Sequence, residues 1–139
     1  MNIETIIIDK DIKVFYIAAA SFPDGVMAAF DKLYKIAPPS EHRIYYGISR
    51  PENGGGIQYK AATEETHEGE GAQNGCQALV LKKGSYLCIT IKDFMKDLAA
   101  IGLAFQTLLS QPGLDPEGYC VEEYFNDKDV RCMIRLGGS

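Results

Sequence analysis

The order of apolar and polar positions in the first half of the chain predicts a strand, a helix and a hairpin. Apolar runs rich in β-branched residues at 5–8 and 12–20 are typical of strands. Apolar side chains then recur at helical spacing and stop before two consecutive prolines; they are Val26, Ala29, Phe30, Leu33 and Tyr34. Alternating residues at 43–49 and 57–61, on either side of the turn sequence 51–56, predict a hairpin.

The same order of elements returns in the second half of the chain. After an apolar stretch at 77–81, the pattern at 85–91 predicts a strand. A second helical stripe follows and stops before a Pro-Gly pair; its members are Leu98, Ile101, Phe105, Leu108 and Leu109. Strand-like segments at 119–125 and 130–136 enclose a turn at 126–129, which predicts a second hairpin.

This recurrence predicts a duplicated α+β fold. The distance along the chain from strand to hairpin is 30 residues in the first half and 33 in the second. We therefore expect half-repeats at about 12–63 and 84–136 with pseudo-two-fold symmetry, in which a curved antiparallel sheet carries two main helices and a central groove. A groove between two halves is a favoured place for a ligand. The alternative, that an α+β protein alternates in this way by chance, stays open.

Composition fits one folded domain. The chain has 139 residues, of which 46% are hydrophobic and 24% are charged, the proportions of an ordinary globular protein. Residues 1–136 are predicted to form a single domain. The acidic, glycine-rich segment 64–75 between the repeats predicts a linker or a long mobile loop, and residues 137–139 predict a tail that adds nothing to the fold.

Charge and hydropathy argue against several classes of protein. The 14 basic residues are outnumbered by 19 acidic ones and form no basic run, so direct nucleic-acid binding is not expected. The most apolar stretch, 14–20, is far shorter than the roughly 20 residues that a membrane span needs. The N-terminus lacks the basic start and apolar segment of a signal peptide, and we therefore expect a cytoplasmic protein.

The cysteines and histidines do not form the pattern of a metal site. The four cysteines include no C-x-x-C, and neither His42 nor His67 lies at ligand spacing from a cysteine; the cysteines are Cys76, Cys88, Cys120 and Cys132. Three of them lie in apolar strand-like segments, where free Cys behaves as a small hydrophobe. We expect buried thiols and solvated histidines, with no metal and no cofactor.

Two adjacent carboxylates lie in the middle of the next-to-last predicted strand. Neighbouring strand residues face opposite ways, so one of Glu122 and Glu123 should point to solvent and the other to the interior or a cavity. If Val121 and Phe125 pack under the helices, Glu122 and Tyr124 share the other face. A carboxylate buried without a partner costs several kcal/mol, so an inward glutamate takes a proton or a cation. The alternative is that both glutamates are solvated on an edge strand.

Aromatic residues are the second candidate feature. The chain has eight Tyr and six Phe but no Trp, and several of the tyrosines fall on predicted strands. An aromatic ring facing a cation contributes roughly 0.5–2 kcal/mol, although ordinary β-propensity explains each tyrosine by itself. The sequence has no nucleophile elbow, phosphate-binding loop or dinucleotide-binding glycine pattern, and we predict no catalytic residue.

Three features together point to a known family. They are the repeated strand–helix–hairpin, Arg50-Pro51-Glu52-Asn53 after Tyr46-Gly47-Ile48, and Glu122-Glu123-Tyr124-Phe125-Asn126-Asp127 near the end. From about Ile3 to Leu136 the chain resembles the GyrI-like small-molecule-binding domain, the effector-binding module of bacterial multidrug-responsive transcription regulators. The last segment matches the family's Glu-x-Tyr-x-Asn-Asp. The family usually has an apolar residue where this chain has Glu123.

The resemblance implies a binding function. It assigns ligand binding to Glu122 and Tyr124, with Tyr46, Tyr59 and Tyr86 as aromatic lining, and implies lipophilic, often cationic, drug-like ligands held in the groove. In the family the module is often fused to a helix-turn-helix DNA reader, for which the few residues before the first strand leave no room. We therefore expect a stand-alone sensor or sequestering protein, acting alone, as a homodimer, or with a separate regulator protein.

Two other functions stay open on the sequence. One is hydrolysis of electrophilic small molecules in the same cleft, because some GyrI-like proteins resemble hydrolases that open strained rings with a cleft glutamate and aromatic neighbours. The other is an inhibitor or interaction module for another protein. Our expectation is binding without catalysis.

Overall fold

The computed structural model describes residues 1–51 and 56–138 and has nearly all the predicted elements. The strands are β1 (Glu4–Ile8), β2 (Ile12–Ala18), β3 (Tyr45–Pro51), β4 (Ile57–Glu64), β5 (Gln77–Leu81), β6 (Gly84–Ile91), β7 (Cys120–Tyr124) and β8 (Val130–Arg135). The helices are α1 (Val26–Ile36), α2 (Glu70–Gln73) and α3 (Ala99–Leu109), with a 3₁₀ turn at Phe94–Lys96. The turn predicted at 51–56 falls largely on residues 52–55, which lie outside the described residues.

The chain forms two compact units, which we call the terminal and the internal unit. The terminal unit comprises Met1–Lys10 and Lys82–Ser139, and the internal unit comprises Asp11–Leu81. Among the described residues, no helix is long and apolar enough to cross a membrane.

In the terminal unit, α3 covers one side of an antiparallel sheet with the strand order β1-β6-β8-β7. We call this side the helix face. Alternate residues of β6 and β8 point to it and pack against one stripe of α3; this core is Ile89, Ile91, Ala100, Ala104, Leu108, Val130, Cys132 and Ile134. Because alanine and leucine are strong helix formers, the sequence of α3 favours a helix at the spacing that buries this stripe.

The internal unit repeats this arrangement. Its antiparallel sheet has the order β3-β4-β2-β5, and α1 covers the side that carries Tyr59. Ala29, Phe30 and Leu33 form the buried stripe of α1, at the helical spacing that the sequence predicts.

The duplication is confirmed in the topology of the two units. The order strand, helix, hairpin is β2-α1-β3-β4 in the internal unit and β6-α3-β7-β8 in the terminal unit. A fourth strand, β5 or β1, pairs with the first strand of each set. The chain therefore has a duplicated α+β fold with antiparallel strands and two main helices, as the periodicity predicts.

The segment 64–75 differs from the linker or mobile loop that its composition predicts. It contains α2, in which Glu70 and Gly71 are buried. A Cβ atom on Gly71 would lie 2.5 Å from the Cβ of Phe15, so the helix approaches β2 as closely as a glycine allows. The side chains of Glu65 and Glu70 accept hydrogen bonds from the backbone N–H groups of Gly71 and Thr66. These hydrogen bonds order the segment internally, and the ion pair between Glu70 and Arg43 joins it to the rest of the internal unit.

Candidate functional site

The two adjacent glutamates of β7 lie on opposite sides of the terminal sheet. Glu122 is opposite Cys132 in the antiparallel register, and Cys132 belongs to the core under α3, so Glu122 points to the helix face. Cys120 and Tyr124, two positions away on either side, also pack against this core. Val121 and Phe125 therefore do not meet the condition of packing under the helices, because β7 pairs with β8 in the register that turns the even-numbered residues toward α3.

Glu122 is a buried carboxylate in an apolar and aromatic setting. The residue is 8% exposed, and the hydroxyl of Tyr124 donates a hydrogen bond of 2.5 Å to its Oε1. Across the strand pair, burial raises the pKa of the Cys132 thiol well above its ordinary value, and the negative charge of Glu122 raises it further. Cys132 is therefore a neutral neighbour of the carboxylate.

Glu123 forms an ion pair on the other side of the sheet. Its Oε1 accepts a hydrogen bond of 2.5 Å from Nη1 of Arg131, whose guanidinium lies 4.6 Å from the centre of the Phe125 ring. Burial raises the pKa of the Glu123 carboxyl, and the charge of Arg131 counteracts part of that effect. The alternative of two solvated glutamates on an edge strand is wrong, since the Glu123 side chain is only 13% exposed.

An aromatic pair lies beside the Glu122 carboxylate. The ring of Phe94 meets the ring of Tyr124 edge to face, with 5.3 Å between the ring centres and 62° between the planes. Phe94 begins the 3₁₀ turn that follows β6 and packs at the margin of the α3 core. Phe94 was not predicted from the sequence, where its only mark is an apolar Phe-Met pair between the charged residues at 92–93 and 96–97.

Tyr86, a second tyrosine predicted to line the site, lies on the opposite side of the terminal sheet from Glu122. It is three positions from Ile89, which faces α3, so strand alternation turns it away from the helix. The residue is 3% exposed, and its hydroxyl donates a hydrogen bond of 2.5 Å to the carbonyl oxygen of Lys82. The structure does not bring Tyr86 together with Glu122 and Tyr124.

The remaining predicted tyrosines, Tyr59 and Tyr46, lie on opposite sides of the internal sheet. Tyr59 is on the α1 side, stacked on Phe22 with ring centres 5.7 Å apart and meeting Phe30 edge to face at 6.2 Å. Tyr46 is opposite Ala62 on the other side and is 2% exposed. Their assignment to a ligand site stays a prediction.

The four cysteines of the chain differ in burial. All four are free; Cys88 and Cys132 are buried, as their apolar strands predict, and Cys76 and Cys120 are partly buried. Burial raises the pKa of the thiols of Cys76, Cys88 and Cys132, which lowers their thiolate fraction. Within 1–51 and 56–138, no three His, Cys, Asp or Glu side chains are grouped as metal ligands.

Known proteins resemble this chain in structure, at low sequence identity. No protein-family model matches the chain. No curated protein matches it either.

Several solved structures share the fold across nearly the whole chain. The integron cassette protein VCH_CASS2, from the mobile metagenome of Vibrio cholerae, has a TM-score of 0.74 at 12% identity, with 98% of this chain and 96% of that chain covered. The protein SAV2435, solved bound to tetraphenylphosphonium, has a TM-score of 0.65 at 9% identity, with 99% and 95% covered. A hydrolase from Listeria innocua has a TM-score of 0.61 at 12% identity, with 98% and 92% covered. At these identities the likeness establishes the fold alone.

Proposed function

We propose that the chain binds lipophilic cations on the helix face of β7, with Glu122 as the counter-charge and the aromatic pair Tyr124 and Phe94 as the apolar contact. The observation that carries the proposal is the buried Glu122 carboxylate, oriented by the Tyr124 hydroxyl on an otherwise apolar face. The likeness of fold to SAV2435, which was solved with a lipophilic cation, supports the same class of ligand.

Burying a carboxylate costs free energy, and a bound cation offsets that cost. A desolvated carboxylate is stabilised by a positive charge at short range, and attraction in a partly apolar site is much stronger than in water. Aryl groups add contact area, because they pack on the edges and faces of other rings. An organic cation whose charge is surrounded by aryl groups supplies both features, whereas a small hydrated cation supplies only the charge.

The proposal predicts that Glu122→Gln weakens binding of tetraphenylphosphonium between about tenfold and a hundredfold, since the amide keeps the size of the side chain and removes its charge. The dissociation constant would be measured by titration calorimetry on wild type and variant. The same titration with triphenylphosphine oxide, a neutral aryl compound, should give nearly equal affinities for the two proteins.

Glu123→Gln is the matched control, because it removes a charge from the adjacent residue on the other side of the sheet. It should leave the affinity for tetraphenylphosphonium within about twofold of wild type, because the Glu123 carboxylate is paired with Arg131 on the opposite side of the sheet from the proposed site. Equal losses for the cation and the neutral compound in Glu122→Gln, or a larger loss in Glu123→Gln, would contradict charge recognition by Glu122.

We propose binding without turnover, as a sensor or sequestering protein. The hydrolase alternative is kept because a carboxylate hydrogen-bonded to a tyrosine hydroxyl can act as an acid–base pair and because two structural neighbours, both from Listeria innocua, are hydrolases. Hydrolysis of an electrophilic aryl epoxide or ester by wild type, abolished in Glu122→Gln, would favour that alternative. A protein partner that binds wild type and Glu122→Gln equally well would favour an interaction module.

A further inference from the structure

Asn126, which ends the Glu-x-Tyr-x-Asn segment, closes the turn between β7 and β8. Its Oδ1 accepts hydrogen bonds of 2.7 Å from the backbone N–H groups of both Lys128 and Asp129. Its Nδ2 donates a hydrogen bond of 3.1 Å to Oδ2 of Asp129. Asn126 therefore fixes both the backbone of the turn and the direction of the Asp129 carboxylate.

The turn between β7 and β8 also holds the segment that carries Phe94. The backbone N–H of Asp93 donates a hydrogen bond of 3.0 Å to Oδ1 of Asp129, and the N–H of Phe94 donates one of 2.9 Å to the carbonyl oxygen of Lys128. Asp93 has a φ of +50°, a left-handed conformation that is uncommon for a residue with a side chain. These two consecutive hydrogen bonds hold the chain in the conformation that directs Phe94 back toward β7.

We infer that Asn126 and Asp129 are positioning residues for the Glu122 carboxylate, acting through Phe94 and Tyr124. The turn holds Phe94, the Phe94 ring packs on the Tyr124 ring, and the Tyr124 hydroxyl donates to Glu122. The hydrogen bonds of Asn126 and Asp129 given above join the turn and Asp93, so we place their effect on the carboxylate through the two rings. The inference rests on the proposed function, because positioning has a purpose only if Glu122 receives a ligand.

A ligand-free measurement tests the coupling between the turn and Tyr124. The NMR signals of the Tyr124 ring are assigned by their loss in Tyr124→Phe. Their chemical shifts include the ring-current effect of the neighbouring Phe94 ring. The variant Phe94→Leu gives the reference chemical shifts without that ring. Asp129→Ala, which removes the acceptor for the Asp93 N–H, should move the Tyr124 signals most of the way to this reference. Asp129→Asn keeps an acceptor oxygen for the Asp93 N–H but sets an amide N–H₂ against Nδ2 of Asn126, so it should move them only part of that way.

Asp127→Ala is the matched control, since Asp127 is an exposed residue of the same turn. It should leave the Tyr124 signals and the affinity for tetraphenylphosphonium unchanged. Asp129→Ala should weaken the affinity by at least about threefold, and Asp129→Asn should restore part of it. Unchanged Tyr124 signals in Asp129→Ala, or the same shift in Asp129→Asn as in Asp129→Ala, would overturn the inference.

The binding data separate failure of the inference from failure of the proposed function. If Glu122→Gln weakens cation binding but Asp129→Ala binds like wild type, the proposed function stands and the positioning role is overturned. If Glu122→Gln binds the cation as tightly as wild type, the proposed function fails, and the positioning role fails with it.

Discussion

Replacing Glu70 by alanine is expected to lower the free energy of unfolding by about 3–5 kcal/mol, the usual effect of breaking a buried ion pair. Oε2 of Glu70 lies 2.7 Å from Nη2 of Arg43, and the two side chains are 10% and 9% exposed. The same carboxylate accepts hydrogen bonds from the N–H and hydroxyl of Thr66. The variant leaves a buried guanidinium without its carboxylate. Urea denaturation at neutral pH measures the loss.

The effect of Glu70→Ala should also depend on pH. Burial alone would raise the pKa of the Glu70 carboxyl, but the hydrogen bond from the Thr66 N–H and the charge of Arg43 together hold it below its usual range. A lowered pKa in the folded state means that this stabilisation is present at neutral pH and is lost as the pH falls through the folded-state value. The difference between wild type and variant should therefore shrink in acid.

Two variants serve as controls for Glu70→Ala. Glu68→Ala removes an exposed carboxylate two residues away and should change the free energy of unfolding by no more than about 0.5 kcal/mol. The double variant Arg43→Met with Glu70→Leu should recover only part of the loss, because an apolar pair of similar size needs no counter-charge but leaves the two Thr66 donors without their acceptor. Equal free energies of unfolding for Glu70→Ala and Glu68→Ala would show that the ion pair of Arg43 and Glu70 does not stabilise the fold.

The second large effect is expected at Leu108, in the buried stripe of α3. Leu108→Ala should lower the free energy of unfolding by about 2–5 kcal/mol, through lost burial and a cavity under the helix. Leu108 is fully buried in the core that also contains Cys132, the residue opposite Glu122. Chemical denaturation measures the change, with the slope of the transition as a check that unfolding stays cooperative.

Leu109→Ala is a control of identical chemistry one position along the same helix. Leu109 is 54% exposed, so its truncation should change stability by no more than about 0.5 kcal/mol. Similar losses for Leu108→Ala and Leu109→Ala would contradict the orientation of α3 described above.

Most of the fold could be predicted because its elements have strong and repeated periodicity. The spacing of Ala29, Phe30 and Leu33 fits only a helix, and the alternation around Cys88 fits only a strand. The helix α2 could not be predicted in this way, because four residues are barely one helical turn and carry no periodicity. Its stability comes from the buried pair of Arg43 and Glu70, which are distant in the sequence.

The candidate site was predictable only in part. The sequence places Glu122 and Tyr124 on one side of a strand by alternation, and the structure adds the hydrogen bond between them. Alternation could not decide which side faces α3, because Cys120 and Val121 are both apolar and only the pairing with β8 distinguishes them. The role of Phe94 could not be predicted from the sequence pattern. The turn that directs Phe94 to Tyr124 depends on hydrogen bonds to residues that are distant in the sequence.

The most direct test of cation binding by Glu122 is a crystal structure of the chain with tetraphenylphosphonium. We predict that the phosphorus lies within about 6 Å of a Glu122 carboxylate oxygen, the range over which an opposite charge acts strongly on a carboxylate. We also expect a phenyl group of the ligand to pack against the aromatic pair of Tyr124 and Phe94. A phosphonium bound elsewhere, with Glu122 contacting only protein, would contradict cation binding by Glu122.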